Sequence, residues 1–255
     1  MVSPLGIALI AFACISGGAL LGMLVRVFLP EHHLSEESKD VVKLGAGMIA
    51  TLAALVLSLM IASAKGTFDT MNSELRLTGS KIILLDRTMA QYGPETAEAR
   101  VILRREVESV LERSWPEVKA VPRGTQGLEA GAGIEAIQEK LRGLKPRDDA
   151  GRSLQSRALQ LCGDVAEARW LMIEQWKQGS LPTPFLVILV FWLTIIFTTF
   201  GLLSPRNATV IVVLLVCALS SSGSLLLIEE LDHPYQGLIK ISAAPLTNAL
   251  AHLGR

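Results

Sequence analysis

Four long stretches of this chain carry almost no charge, and they set what it can fold into. Leu5–Leu29 holds one charged residue, Arg26, and Leu44–Ala64 holds none between Lys43 and Lys65. Phe185–Leu203 and Ala208–Ile228 are likewise uncharged. As a helix, each is about long enough to cross a ~30 Å hydrocarbon layer at about 1.5 Å per residue. In lipid every backbone N–H and C=O must find a partner inside the protein, so runs of this kind fold as helices. The first run could be taken for a signal peptide. It lacks a basic leading region, however, and exceeds the usual apolar core of about 7–15 residues. The fold class expected is an all-α membrane protein with four transmembrane helices.

Charge and cysteine usage narrow the partners. The 24 basic side chains balance the 24 acidic ones, which leaves no net positive charge for neutralising phosphates and points away from nucleic acid. The expected partners are the lipid bilayer, further copies of the chain and an inorganic ion. Cys14 and Cys217 fall in spans and Cys162 stands alone, so a disulfide framework is not expected and the three read as buried small hydrophobes. There is no strand pattern, internal repeat, glycine-rich phosphate loop or metal-ligand spacing, so no cofactor or metal is implied and enzymatic activity is not expected.

The organisation follows from the apolar runs: residues 1–64 hold transmembrane helices 1 and 2, 65–182 a helical domain, 183–229 helices 3 and 4, and 230–255 a short amphipathic C-terminal tail. The domain of 118 residues carries 18 of the 24 Lys and Arg. Close to the spans, Lys65, Arg76, Lys81, Arg169, Lys177 and Lys240 lie on its side of the membrane, against Arg26, Lys39, Lys43 and Arg206 on the other. The positive-inside rule then puts both termini and residues 65–182 in the cytoplasm and the Glu31–Asp40 turn outside.

The second span is expected to continue past the membrane. Phe68, Leu75, Ile82 and Met89 recur every seven residues, with Met71, Leu85 and Tyr92 three further on. This is a coiled-coil-like seam. Ser35 is a suitable N-cap, with Glu36 and Glu37 in the first turn, and the "YGPE" of Tyr92–Glu95 supplies the stop. A helix over roughly Glu95–Ser114 follows, then a flexible loop at Val121–Gly133. A short helix marked by Ile134, Ile137, Leu141 and Leu144 comes next. Finally, a longer helix striped by Leu154, Ala158, Leu161, Val165, Ala168 and Met172 returns to the membrane. The domain is thus a helical cytoplasmic bundle extending span two.

Four groups of residues are candidates for function. Gly47, Thr51, Ala54, Ser58 and Ala62 fall on one side of span two. A small, mildly polar face of this kind either lets helix backbones approach closely or lines a pore around a symmetry axis. Glu229, Glu230 and Asp232 sit at the C-terminal end of the last span, where the helix dipole disfavours negative charge. Either Lys65 compensates Glu229 or Glu230, or Lys65 and the three carboxylates form charged rings in an oligomer. Ser220, Ser221, Ser222 and Ser224 in that span can satisfy themselves on backbone carbonyls, the alternative being that they line a conduction path. In "LPEHHLSEESKDVVKLG", Leu29–Gly45, His32 and His33 could hold zinc or sense protons. Adjacent side chains diverge, however, so a polar interfacial turn is the plainer reading, with an Arg26–Glu31 pair across it.

Three segments carry a family resemblance. "LPEHHLSEESKDVVKLGAGMIATLAALVLSLMIASAKG" (Leu29–Gly66), "ILLDRTMAQYGPETAEAR" (Ile83–Arg100) and "IEELDHPYQGLIKIS" (Ile228–Ser242) resemble the bestrophin-like proteins of bacterial membranes. Bestrophins are pentameric anion channels with four membrane helices per subunit and a large helical cytoplasmic region. The resemblance implies a homo-oligomeric ion channel of the bacterial inner membrane, a pentamer by analogy, with span two nearest the axis. The bestrophin hydrophobic neck and acidic calcium clasp find no matching positions, so no site residue is carried over. The alternative is a non-conducting membrane scaffold or signalling protein whose helical domain docks a partner.

Overall fold

A computed structural model describes residues 3–30, 35–115, 132–177, 183–235 and 237–254. Among them the structure is helical, without strands: α1 (Pro4–Phe28), α2 (Glu36–Tyr92), a single 3-10 turn (Pro94–Thr96), α3 (Ala97–Ser114), α4 (Ala132–Arg142), α5 (Asp149–Lys177), α6 (Thr183–Leu203), α7 (Ala208–Asp232) and α8 (Ala244–His252). Helices α1, α2, α6 and α7 are long and apolar enough to cross a membrane. The chain divides into two compact units, Met1–Phe68 with Gly179–Ile239 and Asp69–Gln178 with Lys240–Arg255. The glycine-rich Val121–Gly131 stretch, His32 and His33 lie outside the described residues.

Helix α2 runs unbroken for 57 residues. Ser35 opens it, its Oγ accepting from the Ser38 N–H at 3.3 Å. At the far end the Thr96 hydroxyl donates to the carbonyls of Met89 and Gly93 at 2.6 and 2.8 Å. The hydroxyl thereby ties the turn that follows back onto the last turn of the helix.

In the first unit, α1 packs against α6 and α7. The shared core joins Ile15 and Ala19 of α1, Ala53, Met60 and Ala64 of α2, Leu189 and Phe197 of α6, and Leu225 and Ile228 of α7. Gly18 and Gly22 let α1 meet α6 at backbone distance. A Cβ on Gly18 would lie 2.8 Å from Thr198 Oγ1, and one on Gly22 would strike the Thr198 carbonyl oxygen. From the other side, a Cβ on Gly201 would strike the carbonyl oxygen of Ala19. Small residues spaced by four permit such crossings, and in lipid close packing is what holds helices together.

Two arginines lock the end of this helix pair. The Arg26 guanidinium of α1 donates through Nη1 to the Ser204 carbonyl just past α6. Arg206, in the α6–α7 connection, donates through Nε and Nη2 to the Met23 carbonyl of α1 at 3.2 and 2.7 Å. Cations suit the C-terminal ends of helices, where carbonyls are unpaired and the dipole is negative. Arg26 therefore serves α6, while Glu31, the partner expected for it, lies outside the described residues.

The second unit buries the seam of α2, with Met71, Leu75, Ile82, Leu85 and Met89 each at most 5% exposed. Its other apolar faces come from Leu103, Val107 and Leu111 of α3, Ile137 and Leu141 of α4, and Ala158, Leu161 and Val165 of α5. Helix α4 packs on α3 and on α5. Of the residues set apart in sequence as a tail, those from Lys240 on are part of this unit, whereas 230–239 go with the first: α8 packs against α3, and Leu246, Ala249 and Leu250 are buried. Opposite Gly79 of α2 the Pro245 carbonyl comes so near that a Cβ would lie 2.8 Å from it.

Polar contacts fix the register of these helices. The Asp86 carboxylate, 1% exposed, takes a fork from Arg100, with Nε to Oδ1 at 2.7 Å and Nη2 to Oδ2 at 3.0 Å. The Gly254 N–H adds a third donor at 3.3 Å. The hydrogen bonds from Arg100 to Asp86, and then the attraction between the two charges, raise the Arg100 pKa against the opposing effect of burial. The Trp115 indole N–H donates to the Ile241 carbonyl at 2.8 Å. Lys81 pairs with Asp164 at 3.3 Å and Lys140 with Glu98 at 2.7 Å. Of the cysteines, Cys162 is buried as expected, whereas Cys14 and Cys217 stand on outward faces of α1 and α7. A thiol is apolar enough to face lipid, so burial in protein is not required of them.

Candidate functional site

The small-residue face of α2 is turned away from the rest of its own chain. Gly47, Thr51, Ala54, Ser58 and Ala62 are all exposed, while Ala46, Ala53, Met60 and Ala64 supply the packed side of the same helix. Among the described residues of this subunit the face is therefore not packed against another helix. Its hydroxyls are satisfied locally, Thr51 donating to the Gly47 carbonyl at 2.9 Å and Ser58 to the Ala54 carbonyl at 2.8 Å. A polar side chain bonded back to its own helix can sit in an apolar setting without an unmet donor. Leu55 and Leu59, each 68% exposed, lie on the adjacent side.

The serines of α7 behave alike. Ser220, Ser221 and Ser224 donate to the carbonyls of Val216, Cys217 and Ser220 at 3.0 to 3.1 Å, and Ser222 donates to the Leu219 carbonyl at 3.0 Å. Only Ser222 of the four is buried.

At the end of α7 the acidic residues turn inward. Glu229, Glu230 and Asp232 are each 5% exposed. Gly237 adopts φ of +107°, a conformation open to glycine and strained for other residues. The chain beyond it folds back so that the N–H groups of Leu238 and Ile239 both donate to Glu230 Oε2, the latter at 3.2 Å. A Cβ at position 237 would strike that same oxygen. The compensation that the helix dipole demands is thus supplied to Glu230 by backbone donors. Lys65 is exposed, and its ammonium stands 5.4 Å from the centroid of the Phe68 ring. The structure brings Glu230 together with the Gly237 turn, a relation missed in sequence although "HPYQG" is a turn signal directly after the carboxylates.

Glu230→Ala removes a charged acceptor and strands two amide donors, so we expect a loss of about 3 kcal/mol, the upper value for a hydrogen bond to a charged group. Glu230→Gln, which keeps an oxygen, should lose less. Thermal unfolding of the detergent-solubilised protein orders the two variants, and equal losses would show that the Gly237 turn does not depend on the acceptor.

Among the described residues no three His, Cys, Asp or Glu side chains gather in a way that could hold a metal ion.

A family model described as a bestrophin-like domain matches residues 13–246. A solved structure of a bacterial bestrophin homologue from Klebsiella pneumoniae, carrying one substitution, aligns with a TM-score of 0.56 at 12% identity, covering 96% of this chain and 97% of that one. At that identity the likeness is one of fold. A search of curated proteins finds no match. The chain shares its helical fold with that homologue over nearly its whole length and matches the family model across its spans and its domain, so it belongs to the bestrophin-like family.

Proposed function

We propose that this protein is a subunit of a homo-oligomeric ion channel of the bacterial inner membrane, with the Gly47–Thr51–Ala54–Ser58–Ala62 face of α2 toward the oligomer axis. The observation that carries the reading is the exposure of that face: it is uncharged, small and uncovered among the described residues of its own chain. A ring of such faces leaves room for water and ions at the centre. Head-to-tail contacts between identical subunits generate a closed ring when the rotation between neighbours closes. Lys65, at the end of the apolar run, would stand as a cationic ring at the mouth. The Glu230 carboxylate stays with the Gly237 turn.

Ser58→Trp tests the axis directly. If the face lines a pore, ion flux into reconstituted vesicles falls to background while the oligomer keeps its size. If the face packs closely against a neighbouring subunit, the same change breaks up the oligomer, because the short approach allowed by Gly47, Ala54 and Ala62 is lost. Absence of flux with the unmutated protein would remove the channel reading and leave the scaffold. Trp170 and Leu171 of α5, 61% and 44% exposed, favour that alternative as apolar contact points for a partner.

We further propose that the termini and the domain of residues 65–182 are cytoplasmic. Arg147→Cys places an accessible thiol in that domain. Native Cys162 will not compete, since burial pushes its thiol up to about 11, and the thiolate is the reactive form. An impermeant maleimide should label Arg147→Cys after the cells are opened and not before; labelling of intact cells reverses the topology.

A further inference from the structure

At one end of the α1–α6 pair, two arginines are held side by side by the backbone contacts they make. Arg26 donates across to the Ser204 carbonyl, and Arg206 donates back to the Met23 carbonyl. Met23 and Arg26 are one helical turn apart, and Ser204 and Arg206 two residues apart, so both guanidinium groups occupy one small area of the surface. Each guanidinium carries five N–H donors, and these contacts use few of them. Among the described residues neither arginine has an acidic partner. Helix C-termini account for one cation each, but two fixed like charges at short range also repel, and an anion placed between them relieves that repulsion.

The surroundings say where such an anion would come from. Leu24, Val27 and Phe28, beside Arg26 on α1, are 53%, 56% and 78% exposed, which is the surface that acyl chains cover. Pro205, Arg206 and Asn207, by contrast, form an exposed polar connection. The pair sits where the apolar runs of α1 and α6 end and that of α7 begins, the level of the phosphates in a bilayer. Planar guanidinium forks match phosphate oxygens two at a time.

We propose that Arg26 and Arg206 form a binding site for the headgroup of an anionic phospholipid. The phosphate oxygens take the guanidinium donors left free by Ser204 and Met23, and the acyl chains lie along Leu24, Val27 and Phe28. Bound in this way, the lipid neutralises the two charges and bridges α1 to the α6–α7 connection.

The experiment uses the full chain in nanodiscs of mixed phosphatidylglycerol and phosphatidylcholine, with the composition of retained lipid read after delipidation by native mass spectrometry. The expected result is a preference for phosphatidylglycerol of about tenfold or more in the unmutated protein, reduced to near the bulk ratio in Arg206→Gln. Arg26→Lys, which keeps the charge and loses the fork, should fall between. Because Arg206→Gln also removes the contact to Met23, a second measurement avoids substitution altogether. Phosphatidylglycerol should slow modification of Arg26 and Arg206 by phenylglyoxal relative to phosphatidylcholine, while millimolar inorganic phosphate in phosphatidylcholine should not. Equal retention of both lipids by the unmutated protein overturns the proposal. So does a preference that survives in Arg206→Gln, or protection by free phosphate alone, which would make the ligand a soluble anion. Glu31 is the nearest acidic residue in sequence to Arg26 and the rival counter-charge. If the lipid preference emerges only in Glu31→Gln, the native site is filled from within the chain and the proposal fails.

Discussion

Gly22→Ala should destabilise the membrane unit by about 3 kcal/mol, the upper end for overpacking a well-packed interior, although it adds a single methyl group. That methyl would land on the Thr198 carbonyl oxygen, with the Leu202 amide nitrogen 2.8 Å away. Both are backbone atoms of α6 and cannot rotate aside, so the two helices must separate. Separation also loosens the contacts beyond the crossing, where Arg26 and Arg206 reach across to Ser204 and Met23. Gly201→Ala collides with the Ala19 carbonyl from the other side and should cost as much. The control lies five residues earlier: a Cβ on Gly17 meets nothing within 4 Å, and Gly17→Ala should be neutral or slightly stabilising, since alanine is the better helix former. Unfolding midpoints of the three variants in one detergent check the ordering. A Gly22→Ala protein as stable as the Gly17→Ala protein would mean that α1 and α6 do not cross there.

Asp86→Ala should cost the second unit about 3 kcal/mol, the lower end of the range for breaking a buried ion pair. Asp86 is 1% exposed on its side chain and Arg100 is 22% exposed, so the guanidinium regains some water when that carboxylate is lost. Three donors lose their acceptor together: Nε and Nη2 of Arg100 and the Gly254 amide. The effect should therefore show in two places. Thermal stability falls, and amides of α8, held through Gly254 and through the Trp115 bond to Ile241, exchange with solvent faster than in the unmutated protein. Unchanged exchange in α8 beside a lowered melting point would confine the role of Asp86 to the α2–α3 hairpin.

The parts legible in the sequence were those written as a period along a single helix. An uncharged run of twenty residues declares itself by length alone, and the Phe68–Leu75–Ile82–Met89 register announces a buried seam because heptad spacing keeps one side of a helix facing inward. Ser35 could be named as a cap because capping is local. What stayed hidden needed to know which helix lies opposite. Gly18 and Gly22 advertise a close approach, but nothing in their spacing points to Thr198 or Gly201, which are about 180 residues away. The α7 carboxylates show the same limit in another form. Dipole reasoning required something to compensate them, and Lys65 was the visible cation. For Glu230 the compensation came from uncharged amides, which become donors of choice only once Gly237 bends the chain. The fork from Arg100 to Asp86 spans 14 residues across the turn at Gly93 and Pro94, and could have been sought there as a hairpin pairing.

The two residues whose donors meet at Asp86 arrive at very different moments in the life of the chain. Arg100 follows 14 residues later and Gly254 follows 168 residues later. At a translation rate of about 5–20 residues per second, the first interval passes in roughly one to three seconds and the second takes on the order of ten to thirty. The hairpin of α2 and α3 can thus tie its knot while the ribosome is still at work, whereas the place reserved for residues 240–255 stays vacant until α6 and α7 have been made and threaded into lipid. A nascent chain stalled between those events would present the side of α3 that packs against α8 without that cover. Until α8 has been made, that uncovered side is the kind of transiently exposed apolar surface that chaperones bind.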